Sequence, residues 1–276
     1  MEALLQDISY AYMSWESPFL LIMVTTFLFF FGSVFASFTG LVVHRLGSLS
    51  EDESLLRAIT FPPSKCEDCG SRLSAIDLIP VLGWILTRGT CRQCGYKVPI
   101  KYPFIEFCVG ALIASIPFVV ADFSNVTVIL ILLVLTGVFI GWIDNVHQII
   151  PEELTWFLFF VGLLASPVVP EIYDRALGAT LCITVMWLSL AIVGIMKNKN
   201  THAGGDVALA AVAGAWVGFG LAPWFLLVTA VFYGLHAGYQ RIKGEVWVPM
   251  GPAMVAGLWL VVFGTIRNVW SAFVIF

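Results

Sequence analysis

Asp144 and Asp206 each stand at the end of a long apolar run, in a chain whose hydrophobic stretches are otherwise nearly free of charge. The first opens the polar turn Asp144-Asn145-Val146-His147-Gln148-Ile149-Ile150-Pro151; the second follows Gly204-Gly205 and starts another apolar run. A carboxylate at membrane depth is costly and marks a functional site by default. Two of them on one membrane face can hold a single proton between them and activate a water molecule. Taken singly, Asp144 reads as a solvated helix end and Asp206 as an N-cap. Pro151, which restarts a helix after the turn, and Gly204-Gly205, which allow close backbone approach, make the paired catalytic reading the stronger one.

The cysteines form a second constellation. Cys66-Glu67-Asp68-Cys69-Gly70 and Cys91-Arg92-Gln93-Cys94-Gly95 are two CxxC knuckles, and each glycine lets the chain turn beneath a metal. Four thiolates at this separation suit a tetrahedral, structural Zn²⁺ site with no open position. The alternative is a pair of disulfides, which the basic flanks of this stretch disfavour by placing it in a reducing cytosol. Cys108 and Cys182 lie in apolar segments and read as small core residues.

The elements that must position these groups follow from composition. Of 276 residues, 59% are hydrophobic and 12% charged, about half the charge of a soluble domain. Ten Trp and 22 Phe fit aromatic belts at membrane interfaces. The first 17 residues carry Glu2, Asp7 and Glu16 and no basic residue, the reverse of a cleavable signal peptide. We read eight apolar segments, at about 18–43, 104–121, 126–143, 154–170, 176–195, 206–220, 222–238 and 252–270. The expected fold is therefore an all-α polytopic membrane protein of about eight transmembrane helices, with a small hydrophilic domain between the first two. Three parts are expected: 1–44 with the first helix, 45–102 as the tetracysteine zinc domain, and 103–276 as the membrane domain that carries the aspartates. No internal repeat is visible, and Lys197-Asn198-Lys199-Asn200-Thr201 reads as a short polar loop.

Eight spans place twelve of the 14 Lys and Arg on one side, in the 45–102 stretch, beside Lys197 and Lys199, and at Arg241 and Lys243. The other side keeps Arg175 and Arg267. By the positive-inside rule the basic side is cytoplasmic. Asp144 and Asp206 then both fall on the cytoplasmic face, as a working pair requires. Glu106, near the start of segment two, is a further candidate, either snorkelling to the interface or orienting a partner group. His147 reads as a solvated loop histidine, and Asp122, Glu171 and Asp174 as solvated acids of the outer face.

Several of these stretches together resemble the type IV prepilin peptidases, GxGD-type membrane aspartic proteases. Phe31-Gly32-Ser33-Val34-Phe35 to Val43-His44-Arg45-Leu46 is similar to that family's first-span signature. The knuckles with Asp77-Leu78-Ile79-Pro80 and Arg88-Gly89-Thr90-Cys91 resemble its cytoplasmic domain, and Tyr102-Pro103 to Glu106 its second span. Asp144 to Pro151 and Gly205-Asp206 resemble its two aspartate motifs, and Val248-Pro249-Met250-Gly251-Pro252 the turn before its last span. Ala203, Ala208 and Glu152 depart from the family's usual Gly, Lys and Asp.

The resemblance implies an endopeptidase of the bacterial inner membrane that cuts the short basic leader from prepilins or pseudopilins of pilus and type II secretion systems. It also implies N-methylation of the new N-terminus from S-adenosylmethionine, although no glycine-rich nucleotide loop is present. Expected partners are those substrates and membrane lipids, with no nucleic acid. The competing readings are an inactive family member, or a non-enzymatic transporter or assembly scaffold. A transporter predicts inverted repeats and acids near the bilayer midplane.

Overall fold

A computed structural model describes residues 18–47, 63–120, 125–197, 204–244 and 248–267. The N-terminal acids, Arg57, Asp122, Lys199 and Ala203 lie outside the described residues, as does most of the 197–201 loop. The chain divides into two compact units, 1–123 and 124–276.

Among the described residues the regular structure is helical, apart from two isolated antiparallel bridges, Lys65–Arg72 and Thr90–Lys97. The first unit holds α1 (Pro18–Leu46), the short α2 (Leu82–Leu86) and α3 (Lys101–Val120). The second holds α4 (Asn125–His147), α5 (Glu152–Ala165), α6 (Ile172–Lys197), α7 (Gly204–Ile242) and α8 (Gly251–Ile266). Five of these, α1, α3, α4, α6 and α7, are long and apolar enough to cross a membrane, and α8 is a shorter apolar helix.

In the first unit α1 and α3 cross where neither carries a side chain. A Cβ on Gly32 would lie 3.0 Å from the Val109 carbonyl and 3.1 Å from the Gly110 Cα. Small residues at such crossings let helix backbones touch, the usual mode of helix association in lipid. Beside them the Ser33 hydroxyl donates to the Glu106 carbonyl at 3.0 Å. Val109, Gly110 and Ile113 are buried on this face, whereas Phe104, Phe107 and Cys108 share the opposite, exposed face. Cys108 is therefore not a core residue; Cys182, fully buried, is one.

In the second unit α7 spans both apolar segments expected at 206–220 and 222–238, broken between them at Gly218 (φ 70°, ψ −179°). That conformation is essentially restricted to glycine. The Phe219 N–H freed by the break donates to Asp174 Oδ1 at 3.2 Å, so Asp174 caps the second half of α7 instead of being simply solvated. Gly178 of α6 and Gly214 of α7 meet backbone to backbone nearby. With α7 divided at its break, each of the eight apolar segments corresponds to one helical run.

α5 stops at Ala165, earlier than expected, because Ser166 precedes Pro167 and the residue before proline is pushed out of the helical region. The carbonyls left open there are taken by Arg175, only 6% exposed, which donates to those of Leu163, Ser166, Val169 and Pro170. Ser166 also binds the Trp216 carbonyl at 2.6 Å, and the buried Trp216 indole donates to the Leu158 carbonyl at 3.0 Å. These contacts hold the outer turns of α5, α6 and α7 together.

Candidate active site

Asp144 belongs to the last turn of α4, which runs to His147 and not to about 143. The extension has a local cause. Gln148 takes φ 56°, and its N–H closes on the Asp144 carbonyl at 2.9 Å, a left-handed helix stop usually made by glycine or asparagine. His147 is accordingly a half-buried helix-end residue.

Gly137, Gly141 and Asp144 repeat at helical spacing and share one face of α4. A Cβ on Gly137 would come within 2.9 Å of Val255 and the Trp259 ring, and one on Gly141 within 3.6 Å of the Pro252 Cα. The small residues thus let α8 lie close alongside. Its first residue, Gly251, then donates its backbone N–H to Asp144 Oδ2 at 2.8 Å. A side chain on Gly251 would stand 2.6 Å from that oxygen, so glycine is required for the contact. The start of a helix also favours a negative charge beside it. Asp144 is 5% exposed, yet it has a fixed donor.

The turn after α4 brings up the second acid. Pro151 (φ −64°) opens α5, and its carbonyl accepts both the N–H and the hydroxyl of Thr155, at 3.1 and 2.7 Å. Ile150, just before it, lies against Gly205, where a Cβ would be 3.0 Å from the Ile150 Cβ. Asp206 follows, half-buried in the first turn of α7. Of the two glycines before Asp206, only Gly205 answers to close approach; a Cβ on Gly204 would meet open space.

In the first unit the four cysteine sulfurs lie within 4.8 Å of one another, and all four thiols are free of disulfides. Cys66 and Cys94 Sγ are 3.8 Å apart and those of Cys69 and Cys91 4.0 Å. A tetrahedron of about 2.3 Å zinc–sulfur bonds has edges of about 3.8 Å, so this set fits zinc. The two knuckles have equivalent geometry. Gly70 and Gly95 take φ 70° and 75°, and each donates its N–H to the carbonyl of its knuckle's first cysteine at 3.0 Å. Cys66 and Cys91 donate to Ser71 and Tyr96 at 2.8 Å in both cases. The matching geometry follows the matching Cys-x-x-Cys-Gly pattern of the two stretches. The backbone N–H groups of Cys94 and then Gln93 hold the Cys91 thiol down, while the Cys94 thiol in the same cluster is pushed up.

Glu106 binds the backbone of the short segment before α2. Its Oε2 accepts the Val81 N–H at 2.8 Å, pinning a β-branched residue at φ 61° before α2. Asp77 receives the Ser74 hydroxyl at 2.7 Å and pairs with Arg92 at 3.0 Å; the Ser74 hydroxyl above all holds it below the usual carboxylate range.

Sequence reasoning left Gly251, Asp174 and Arg175 without roles. For Gly251 a signal existed in the Gly137–Gly141–Asp144 spacing, which marks a closely approached face. The capping roles of Asp174 and Arg175 depend on breaks in other helices and had no local signal.

Fold and site together define a polytopic membrane protein whose two acids stand at helix ends joined by the Ile150–Gly205 contact, with a cluster of four cysteines in its N-terminal unit. Residues 30–120 match the family model of the bacterial peptidase A24 N-terminal domain, and residues 128–238 that of the type IV leader peptidase family. The chain belongs to the type IV leader peptidase family. It is 31% identical over 207 residues to a prepilin leader peptidase/N-methyltransferase of Klebsiella pneumoniae, covering 74% of this chain and 90% of that one. A protein of the same name from Neisseria gonorrhoeae is 29% identical over 81% of this chain and 78% of its own length. Another from Pseudomonas putida is 28% identical over 87% and 88%. No solved structure matches the chain.

Proposed function

We propose that this protein is a membrane aspartic endopeptidase that removes the leader of type IV prepilins or pseudopilins, with Asp144 and Asp206 as the catalytic pair. The observation that carries this is the packing of the turn after Asp144 on the residue before Asp206, Ile150 against Gly205, with Asp144 buried and held by the Gly251 N–H.

Two nearby carboxyl groups share one proton rather than both ionising. The ionised member takes a proton from water, and the resulting hydroxide attacks the scissile carbonyl. The protonated member hydrogen-bonds the carbonyl oxygen and stabilises the charge that develops there. The Gly251 N–H fixes one Asp144 oxygen and leaves the other for water or substrate. Gly205 and Pro151 set the backbone on either side; Gly204 and Ala208 have no step here.

The basic loops support a cytoplasmic position for the cysteine domain and for both aspartates, in a multi-pass protein of the bacterial inner membrane. A leader on that side, followed by an apolar helix in the bilayer, would present its junction at the face where the acids lie. We assign N-methylation of the new N-terminus to the same chain on the names of its relatives, with S-adenosylmethionine supplying an electrophilic methyl group. The four cysteines would hold a structural zinc ion.

The test is cleavage of a prepilin in membranes containing Asp144→Asn or Asp206→Asn protein. Loss of cleavage in both is expected, and full activity in either removes that residue from the pair.

A further inference from the structure

Beside the knuckles the first unit contains a cavity of about 220 Å³ that the peptidase reading does not use. Its walls include three aromatic side chains, Trp84, Tyr96 and Tyr102, together with Glu67 and Glu106. Trp84 is held in place by its indole N–H, which donates to the Val98 carbonyl at 3.0 Å, and by Gly89, which a side chain would drive into the ring. Of the two Glu106 oxygens, Oε2 is committed to Val81, while Oε1 has no hydrogen-bond donor among the described residues.

The wall itself carries two acids, Glu67 and Glu106, against Lys65, since Arg92 is neutralised by Asp77 at 3.0 Å; outside the wall, Lys101 Nζ lies over the Tyr102 ring, 5.0 Å from its centroid. Cys66 and Cys91 also reach the wall, and four thiolates around one zinc ion carry a net charge of about −2. Glu67 is the more exposed acid, 3.6 Å from His44, so the half-buried Glu106 is the better anchor. Aromatic faces around a carboxylate are what a desolvated organic cation needs, because the rings attract positive charge while the carboxylate neutralises it. The volume suits one charged head group and its stem; pockets for whole drug-sized ligands run from about 300 Å³ upward.

We propose that this cavity binds a positively charged organic group, with Glu106 as its counter-ion and Trp84 and Tyr102 as its walls. The identity of the ligand rests on the function proposed above, which offers two sources of the same chemistry: a Lys or Arg side chain of the substrate leader, or the sulfonium of the methyl donor.

The experiment measures binding to the purified full-length protein in detergent, using two matched pairs of probes. One pair is a leader peptide with its Lys and Arg and the same peptide with Gln in their place. The other is S-adenosylmethionine and S-adenosylhomocysteine, which differ in the sulfonium charge. The cationic member of at least one pair should bind about tenfold more tightly, and Glu106→Gln should remove that preference. Glutamine keeps an oxygen for Val81, so zinc content should stay unchanged. Should that variant lose its zinc, Tyr102→Leu, which leaves the Val81 contact intact, replaces it with the same expectation. Preference in the peptide pair assigns the leader; preference in the nucleoside pair assigns the methyl donor. No charge preference in the wild type, or one that survives in the variant carrying the test, overturns the proposal. Asp144→Asn separates the two readings, since it should abolish cleavage yet keep the charge preference. In the wild-type protein, cleavage without charge preference sinks the cavity alone, and preference without cleavage sinks the peptidase alone.

Discussion

The Gly251 N–H meets Asp144 Oδ2 at 2.8 Å, joining the first residue of α8 to the last turn of α4. The bond fixes the carboxylate only because residue 251 has no side chain, since a Cβ would come within 2.6 Å of the acceptor oxygen. Gly251→Ala should therefore displace Asp144 while leaving both acids in the chain. A displacement of about 1 Å at a reacting group can cost about 100-fold in rate, so prepilin cleavage should fall by about that much. Wild-type cleavage by the variant in isolated membranes would show that this contact does not position the acid.

A second spacing sets the position of Asp206. Gly205 lies against Ile150, with room for a methyl group only if its neighbour yields by a few tenths of an ångström. Gly205→Ala should retain part of the cleavage rate, and Gly205→Val should lose it. Gly204, whose Cβ direction is open, should accept alanine with little change. An equal response of the two glycines to alanine would exclude close packing as the reason for the difference.

Much of this architecture was legible in the sequence, and the exceptions share a physical cause. Apolar runs report burial in lipid or core directly, so all eight helical runs could be placed. The knuckle spacing reports a ligand set, and the sulfur distances agree with it. Helix ends were harder. Gln148, an unusual residue for a left-handed stop, carries α4 past the expected boundary, and Ser166-Pro167 stops α5 short of its own. Asp174 read as a solvated outer-face acid and Arg175 only as a basic residue of that side, because their partners, the N–H of Phe219 and four carbonyls at and after the end of α5, are exposed by breaks in other elements. The Asp144–Gly251 contact spans 107 residues, so no window of local sequence contains it.

The break in α7 yields a stability prediction. Gly218 occupies a region that only glycine tolerates, and a Cβ there would lie 2.6 Å from Asp174 Oδ2. Gly218→Ala should cost about 1–3 kcal/mol from backbone strain alone. Asp174→Ala removes the cap and should cost about 1 kcal/mol. Thermal unfolding in detergent should rank Gly218→Ala as the more damaging. The reverse order would mean that the break is held by something other than this backbone geometry.

Loss of Arg175 should be more severe than loss of Asp174. Its guanidinium satisfies four carbonyls in a buried turn, and alanine there would leave acceptors that water cannot easily reach. Each unsatisfied buried group costs about 1–3 kcal/mol. Arg175→Ala should therefore yield little folded protein, and Arg175→Lys should rescue it only in part, because one ammonium cannot reach all four carbonyls. Rescue by lysine to wild-type melting would show that charge, not the planar array of donors, is what the turn requires.

The metal prediction turns on distance. Sulfurs 3.8 and 4.0 Å apart match the edges of a zinc–thiolate tetrahedron and are too far apart to be bonded as disulfides, whose sulfurs lie about 2 Å apart. The purified protein should carry about one zinc ion per chain. Cys66→Ser with Cys69→Ser should abolish it by removing two of four ligands. Gly70→Ala should weaken retention against a chelator without abolishing it, because its φ of 70° strains an alanine although no atom blocks the Cβ. Since a closed four-sulfur site lends its binding energy to folding, chelation should expose the knuckles to protease before it affects the second unit. Metal-free protein whose knuckles still resist protease would show that the four thiols hold this fold without an ion.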